Sequence, residues 1–172
     1  MRHISEDSTL HLNHDRATVS TVLDALDQHN WVHLACHGLQ DASDPLKSGF
    51  ALHDGRLELK SLMTKSLDHA QMAFLSACQT AKGDDKLPEE AVHLAAGMLT
   101  AGFPSAVATM WSIGDDDACI VAEAFYSIMA EKRHGSEELE VAYALHEAVK
   151  QLLDKVGEKN FVKWVPFVHY GL

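Results

Sequence analysis

Met72-Ala73-Phe74-Leu75-Ser76-Ala77-Cys78 is a continuous apolar run that ends on a thiol and is bounded by glutamine on both sides. It is too short for a buried helix and lacks the alternation of a half-buried strand, so it reads as a strand covered on both faces. Two further runs are of the same kind. Trp31–Cys36 (WVHLAC) leads into His37-Gly38, and Ser105–Trp111 (SAVATMW) follows Gly102. Helical patterns lie between and around them. Ala17–Gln28 carries Val19, Val22, Leu23 and Leu26 at helical spacing, Leu59–Leu67 reads as a short helix, and Glu89–Thr100 is closed by Gly102 at a left-handed cap position. Asp115–Asp117 open a helix running to about Glu131, and Gly135-Ser136 separate it from another over Glu137–Val156. His53-Asp54-Gly55 marks a hairpin between Phe50–Leu52 and Arg56–Leu59. Short strands are expected at Thr9–Leu12 and over Phe161–Tyr170, the latter interrupted by Pro166 and hence at an edge. Strands alternating with helices predict an α/β fold, a mostly parallel sheet covered on both faces.

The chain has 172 residues, enough for one domain with a sizeable core. The expected organisation is a polar segment over residues 1–16 and one domain over 17–172. A net charge of −11 disfavours nucleic acid as a partner and is compatible with a basic substrate. No apolar run reaches the ~18 residues that span a bilayer, so no membrane is expected as a partner. The polar, acidic N-terminus does not read as a targeting signal, and the expected location is the cytoplasm. Cys36, Cys78 and Cys119 are an odd set, better read as reduced thiols than as a disulfide framework. The 12 histidines show no zinc-site spacing, and no metal or cofactor is expected.

In open parallel sheets, functional groups gather beyond the carboxyl ends of the strands. Here one strand end delivers Cys36-His37-Gly38 and another Ser76-Ala77-Cys78-Gln79-Thr80. A thiol needs a base to become a useful nucleophile, and an imidazole at a neighbouring strand end supplies one. The residues alone leave open whether His37 and Cys78 are such a pair or a core histidine and a buried thiol. His33 reads as structural, and Cys36 and Cys119 as packing. Trp111, Trp164 and Phe167 are expected in the core.

The ordered set VHLACHG, LSACQTAKG, AAGMLTAGFPSAVATMWSIGDDD and KWVPFVHYG resembles the CHAT domain, a branch of the caspase-like (clan CD) cysteine peptidases often joined to tetratricopeptide repeats. The third stretch is also similar to a segment of separases, basic-residue-directed proteases of that clan; metacaspases are further relatives. The resemblance implies a caspase-like helix–sheet–helix sandwich, with further strand and helix ahead of the matched segment, so that the sheet is expected to be N-terminally incomplete here. It implies a cysteine endopeptidase in which His37 is the catalytic histidine and Cys78 the nucleophile. Backbone N–H groups of Gly38 and Cys78 would form the oxyanion hole, and Asp115 and Asp117 would bind a basic P1 side chain. Implied partners are a protein substrate and a tetratricopeptide-repeat or other regulatory protein. The competing reading is an inactive CHAT-type pseudopeptidase that docks or regulates. A zinc site from His33, Cys36, His37 and Cys78 is disfavoured, because strand alternation turns Cys36 away from the histidines.

Overall fold

A computed structural model describes residues 9–41, 43–76, 89–133 and 140–171. By the contacts between residues, the chain falls into two compact units. The larger comprises His11–Ser112 with Tyr170–Leu172, and the other comprises Met1–Leu10 with Ile113–His169.

The larger unit is built on the apolar runs. Strands β1 (Trp31–Leu34), β5 (Met72–Leu75) and β6 (Ser105–Thr109) lie side by side, all parallel. The register pairs Leu34 with Leu75 and Leu75 with Ala108, so the carboxyl ends come level. Every residue of β5 and β6 is buried, which explains why neither run alternates. The full order is β1-β5-β6-β7, where β7 spans Phe167–Gly171.

A second, antiparallel sheet holds β2 (Gly38–Leu39), β3 (Gly49–Leu52) and β4 (Gly55–Glu58) in that order. The predicted His53-Asp54 turn joins β3 to β4, and it does a second job. Asp54 accepts a hydrogen bond from Val19 N–H at 2.8 Å, at the start of α1 (Val19–Leu26). Thr18 and Thr21 close a reciprocal capping box on the same helix end, so several of its orphan N–H groups are satisfied.

Helices α2 (Leu59–Met63) and α3 (Glu89–Thr100) complete this unit. A β-carbon on Gly97 would lie 2.5 Å from a methyl of Leu59, so any larger residue there would force the Leu59 side chain to shift. Gly102 adopts φ +111°, and the N–H groups of Gly102 and Phe103 return to Leu99 and Met98 carbonyls at 3.1 Å each. That is the glycine cap read from the sequence. Val22, Leu26, Phe50, Leu57, Leu59, Leu62, Met98 and Phe103 fill the core between helices and sheet. The architecture is the expected α/β fold, a mostly parallel central sheet flanked by helices.

In the other unit, α4 (Asp115–Arg133) packs on α5 (Val141–Val156), followed by α6 (Phe161–Trp164). Among the described residues, no helix is long and apolar enough to cross a membrane.

Several expectations are corrected. Thr9–Leu12 forms no strand; Leu10 is exposed. Leu59–Leu67 is helical only to Met63. The tail begins as α6 rather than strand, and the strand starts only at Phe167, after Pro166, which has no N–H to give a ladder. Trp111, past the end of β6, is exposed rather than core, and Trp164 is only half-buried. Cys119 is exposed: the inward stripe of α4 runs Asp117, Val121, Phe125, and Cys119 falls off it.

Candidate functional site

β1 and β5 are neighbours in register, and each delivers a candidate residue three positions beyond the Leu34–Leu75 pair: His37 after Leu34, Cys78 after Leu75. Cys78 lies outside the described residues, as does its backbone N–H.

The approach to His37 is well defined. Cys36 turns into the core cluster, and burial pushes its thiol up to about 11, which keeps it protonated and inert at neutral pH. His37 itself is exposed. Its carbonyl accepts from Ala51 N–H at 2.8 Å, which locks its backbone to β3.

This bond fixes the direction of every backbone group that follows. Gly38 pairs with Phe50 and Leu39 with Gly49. With His37 bonded to Ala51, Gly38–Phe50 is a non-hydrogen-bonded pair of the antiparallel ladder. The N–H and C=O of Gly38 therefore point away from β3, off the outer edge of the sheet. The outward N–H of Gly38 thus directly follows an exposed histidine. The following loop is pinned as well. Asp41 N–H donates to Ser48 Oγ at 3.0 Å, and the Asp41 carboxylate accepts from Ser43 N–H, Ser43 Oγ and Asp44 N–H. Those donors hold the Asp41 carboxyl below the usual carboxylate range.

Four residues before His37, His33 has a different setting. Its Nε2 lies 2.8 Å from Ser76 Oγ, and its ring stacks at a tilt on Phe74 with centroids 4.8 Å apart. Burial lowers its pKa to about 4, so the ring is neutral at physiological pH. The bond ties the end of β5, two residues before Cys78, to β1. Sequence reading did not single out Ser76. Only the register, with His33 opposite Phe74, places Ser76 beside His33.

Asp115 and Asp117 belong to the other unit, in the first turn of α4. Asp115 is exposed. Asp117 is buried, 7% exposed, and its Oδ2 is 2.9 Å from Lys163 Nζ on α6. Lys163 was not foreseen as a partner: a tail read as strand gave no reason to bring it to a helix start.

Among the described residues, no three histidine, cysteine or acidic side chains gather as a metal site would require. No curated protein matches the chain. The family model of the CHAT domain matches residues 5–172, nearly the whole length. The ordered motifs, the parallel register and the strand-end histidine agree with that match, and the chain belongs to the CHAT domain family, a peptidase-related branch of the caspase-like clan.

Proposed function

We propose that this protein is a cysteine endopeptidase in which His37 and Cys78 act as a dyad. The observation that carries the reading is the level, parallel pairing of β1 and β5, which puts the two strand ends leading to His37 and Cys78 side by side. In the proposed reaction His37 takes the proton of the Cys78 thiol, and the thiolate attacks the scissile carbonyl, forming a C–S bond while the C=O π pair moves onto the oxygen as an oxyanion. Gly38 N–H, turned outward from β3, and Cys78 N–H donate to that oxyanion. The tetrahedral intermediate collapses as the C–N bond breaks, and the His37 imidazolium gives its proton to the departing amine. A water, deprotonated by His37, then attacks the thioester; the C–S bond breaks, the acid is released and the thiol is restored. In this clan the two side chains need not be hydrogen-bonded at rest.

A basic P1 residue is the proposed preference, with Asp115 as first choice for the carboxylate that receives it, since Asp117 is already engaged by Lys163. The proposed substrate is a protein, under regulation by a tetratricopeptide-repeat or similar partner, in the cytoplasm.

The test is incubation with a peptide acyloxymethyl ketone bearing Arg at P1, read by intact mass and peptide mapping. The expected result is one adduct, on Cys78, lost in His37→Ala. Absence of an adduct with Arg, Lys, Asp and Met probes on folded protein would favour an inactive docking module instead. Cleavage of peptides at acidic P1 only would overturn the basic preference.

A further inference from the structure

The edge of β2 carries an inference about how substrate is held, and it rests on the peptidase reading above. β2 is the outer strand of the β2-β3-β4 sheet and begins at the residue after His37. Its hydrogen bonds fix which of its backbone groups face inward. His37 C=O is bonded to Ala51, Leu39 pairs with Gly49, and Asp41 N–H is bonded to Ser48. Residues 37, 39 and 41 are thus directed to the β3 side. Alternation along an extended chain leaves Gly38 and Gln40 directed outward.

General-acid catalysis by His37 sets where the substrate chain must run. The proton goes to the leaving nitrogen, which belongs to P1′, so the primed residues depart from the scissile bond beside His37. β2 leaves the same point and runs away from it. If the P1 carbonyl accepts from Gly38 N–H, a peptide continuing beside β2 runs parallel to it. The parallel ladder then dictates the next bonds. Gly38 C=O accepts from P2′ N–H, and Gln40 N–H donates to P2′ C=O. The P3′ N–H points the other way.

We infer that the outer edge of β2 is a primed-side subsite, on which an extended peptide adds as a parallel strand through the backbone of its P2′ residue. Recognition by strand addition draws affinity from main-chain bonds and leaves the P2′ side chain little constrained. The site therefore takes a polypeptide unfolded on the C-terminal side of the cut.

Internally quenched octapeptides test this on the unaltered protein, with the P1 residue chosen by the ketone probe panel. N-methylation of the P2′ amide is expected to lower kcat/KM about tenfold, and N-methylation at P3′ to change it by less than about twofold. Gln40→Pro removes the second outward N–H at a position whose predecessor is already extended. In that variant the penalty of P2′ methylation is expected to shrink, because the two changes break one strand pairing. Equal effects of methylation at P2′ and P3′, with Cys78 still labelled by the unprimed ketone, would overturn the β2 subsite alone. Absence of both labelling and cleavage would overturn the peptidase reading and the subsite with it.

Discussion

His33 and His37 stand on one short stretch of chain, four residues apart, and the fold treats them as different chemical groups. His33 lies within β1, stacked on Phe74, bonded to Ser76 and held neutral by burial. His37 lies beyond the strand end, its backbone locked to β3 and its side chain exposed. Asp117 and Asp115 repeat the contrast at the start of α4: one buried against Lys163, the other exposed. In each motif one residue is engaged inside the protein, and the other carries its side chain at the surface. Position relative to the end of an element, not residue type, decides which is which.

The largest effects are expected where this contrast is broken directly. His37→Ala should lower Cys78 labelling and peptide cleavage by at least about 100-fold while moving Tm by less than about 2 °C, since an exposed side chain contributes little to packing. His33→Ala should do the reverse in kind. It removes a ring from the Phe74 contact and leaves Ser76 without its nitrogen partner, a loss of about 2–3 kcal/mol readable as a Tm drop on the order of 5–10 °C. If His37→Ala unfolded the protein and His33→Ala left it intact, the assignment of the two roles would be reversed.

Much of this was legible in the sequence because the decisive signals are local. Buried parallel strands are apolar at every position, so Met72–Leu75 and Ser105–Thr109 announce themselves without any partner. Gly102 at a helix end and His53-Asp54-Gly55 at a hairpin are fixed by backbone conformations few other residues accept. The strand-end histidine was visible for the same reason. What escaped depends on register or on distant chain. Ser76 meets His33 only because Leu34 pairs with Leu75, and Lys163 meets Asp117 only because the tail folds into α6 before β7. Phe161-Val162-Lys163-Trp164 has strand-forming residues, but Pro166 forces the ladder to begin after it. Cys119 was misplaced for want of the exact phase of α4, two residues off an inward stripe set by Asp117, Val121 and Phe125.

The half-buried His33 also sharpens the comparison through pH. Its folded pKa is about 4, against 6.5 for the free side chain. Between those values the unfolded chain binds a proton that the folded protein does not, so stability rises with pH across this window. The contribution is complete above pH 6.5 and is lost as pH falls toward 4, at most about 3 kcal/mol. His33→Gln keeps a polar partner for Ser76 but has no proton to gain. Urea melts from pH 7 to 4 should show a steep acid limb in the natural protein and a flatter one in His33→Gln. Residual acid sensitivity in the variant should fall lower, where Asp41 loses the hydrogen bonds that favour its charged form. An unchanged limb would mean that His33 is not the group that titrates.

The smallest effects separate Asp117 from Asp115. Lys163→Met leaves a buried carboxylate without its ammonium, but Lys163 is half-exposed and water screens the pair, so the expected loss is about 1 kcal/mol rather than the 3–5 of a fully buried one. The first turn of α4 also supplies unsatisfied N–H groups and the positive end of the helix dipole, which favour a carboxylate there with or without lysine. A loss below about 0.3 kcal/mol would show that the helix end, not Lys163, is the main support of the buried Asp117 side chain. Asp115→Asn should leave stability within about 0.5 kcal/mol, because its carboxylate is exposed. Its effect should appear in kcat/KM for Arg-P1 peptides, lowered about tenfold by loss of a charge-assisted contact. If Lys163→Met instead raised kcat/KM for those peptides, Asp117 rather than Asp115 would be the carboxylate that meets the substrate, and the internal lysine would be its competitor.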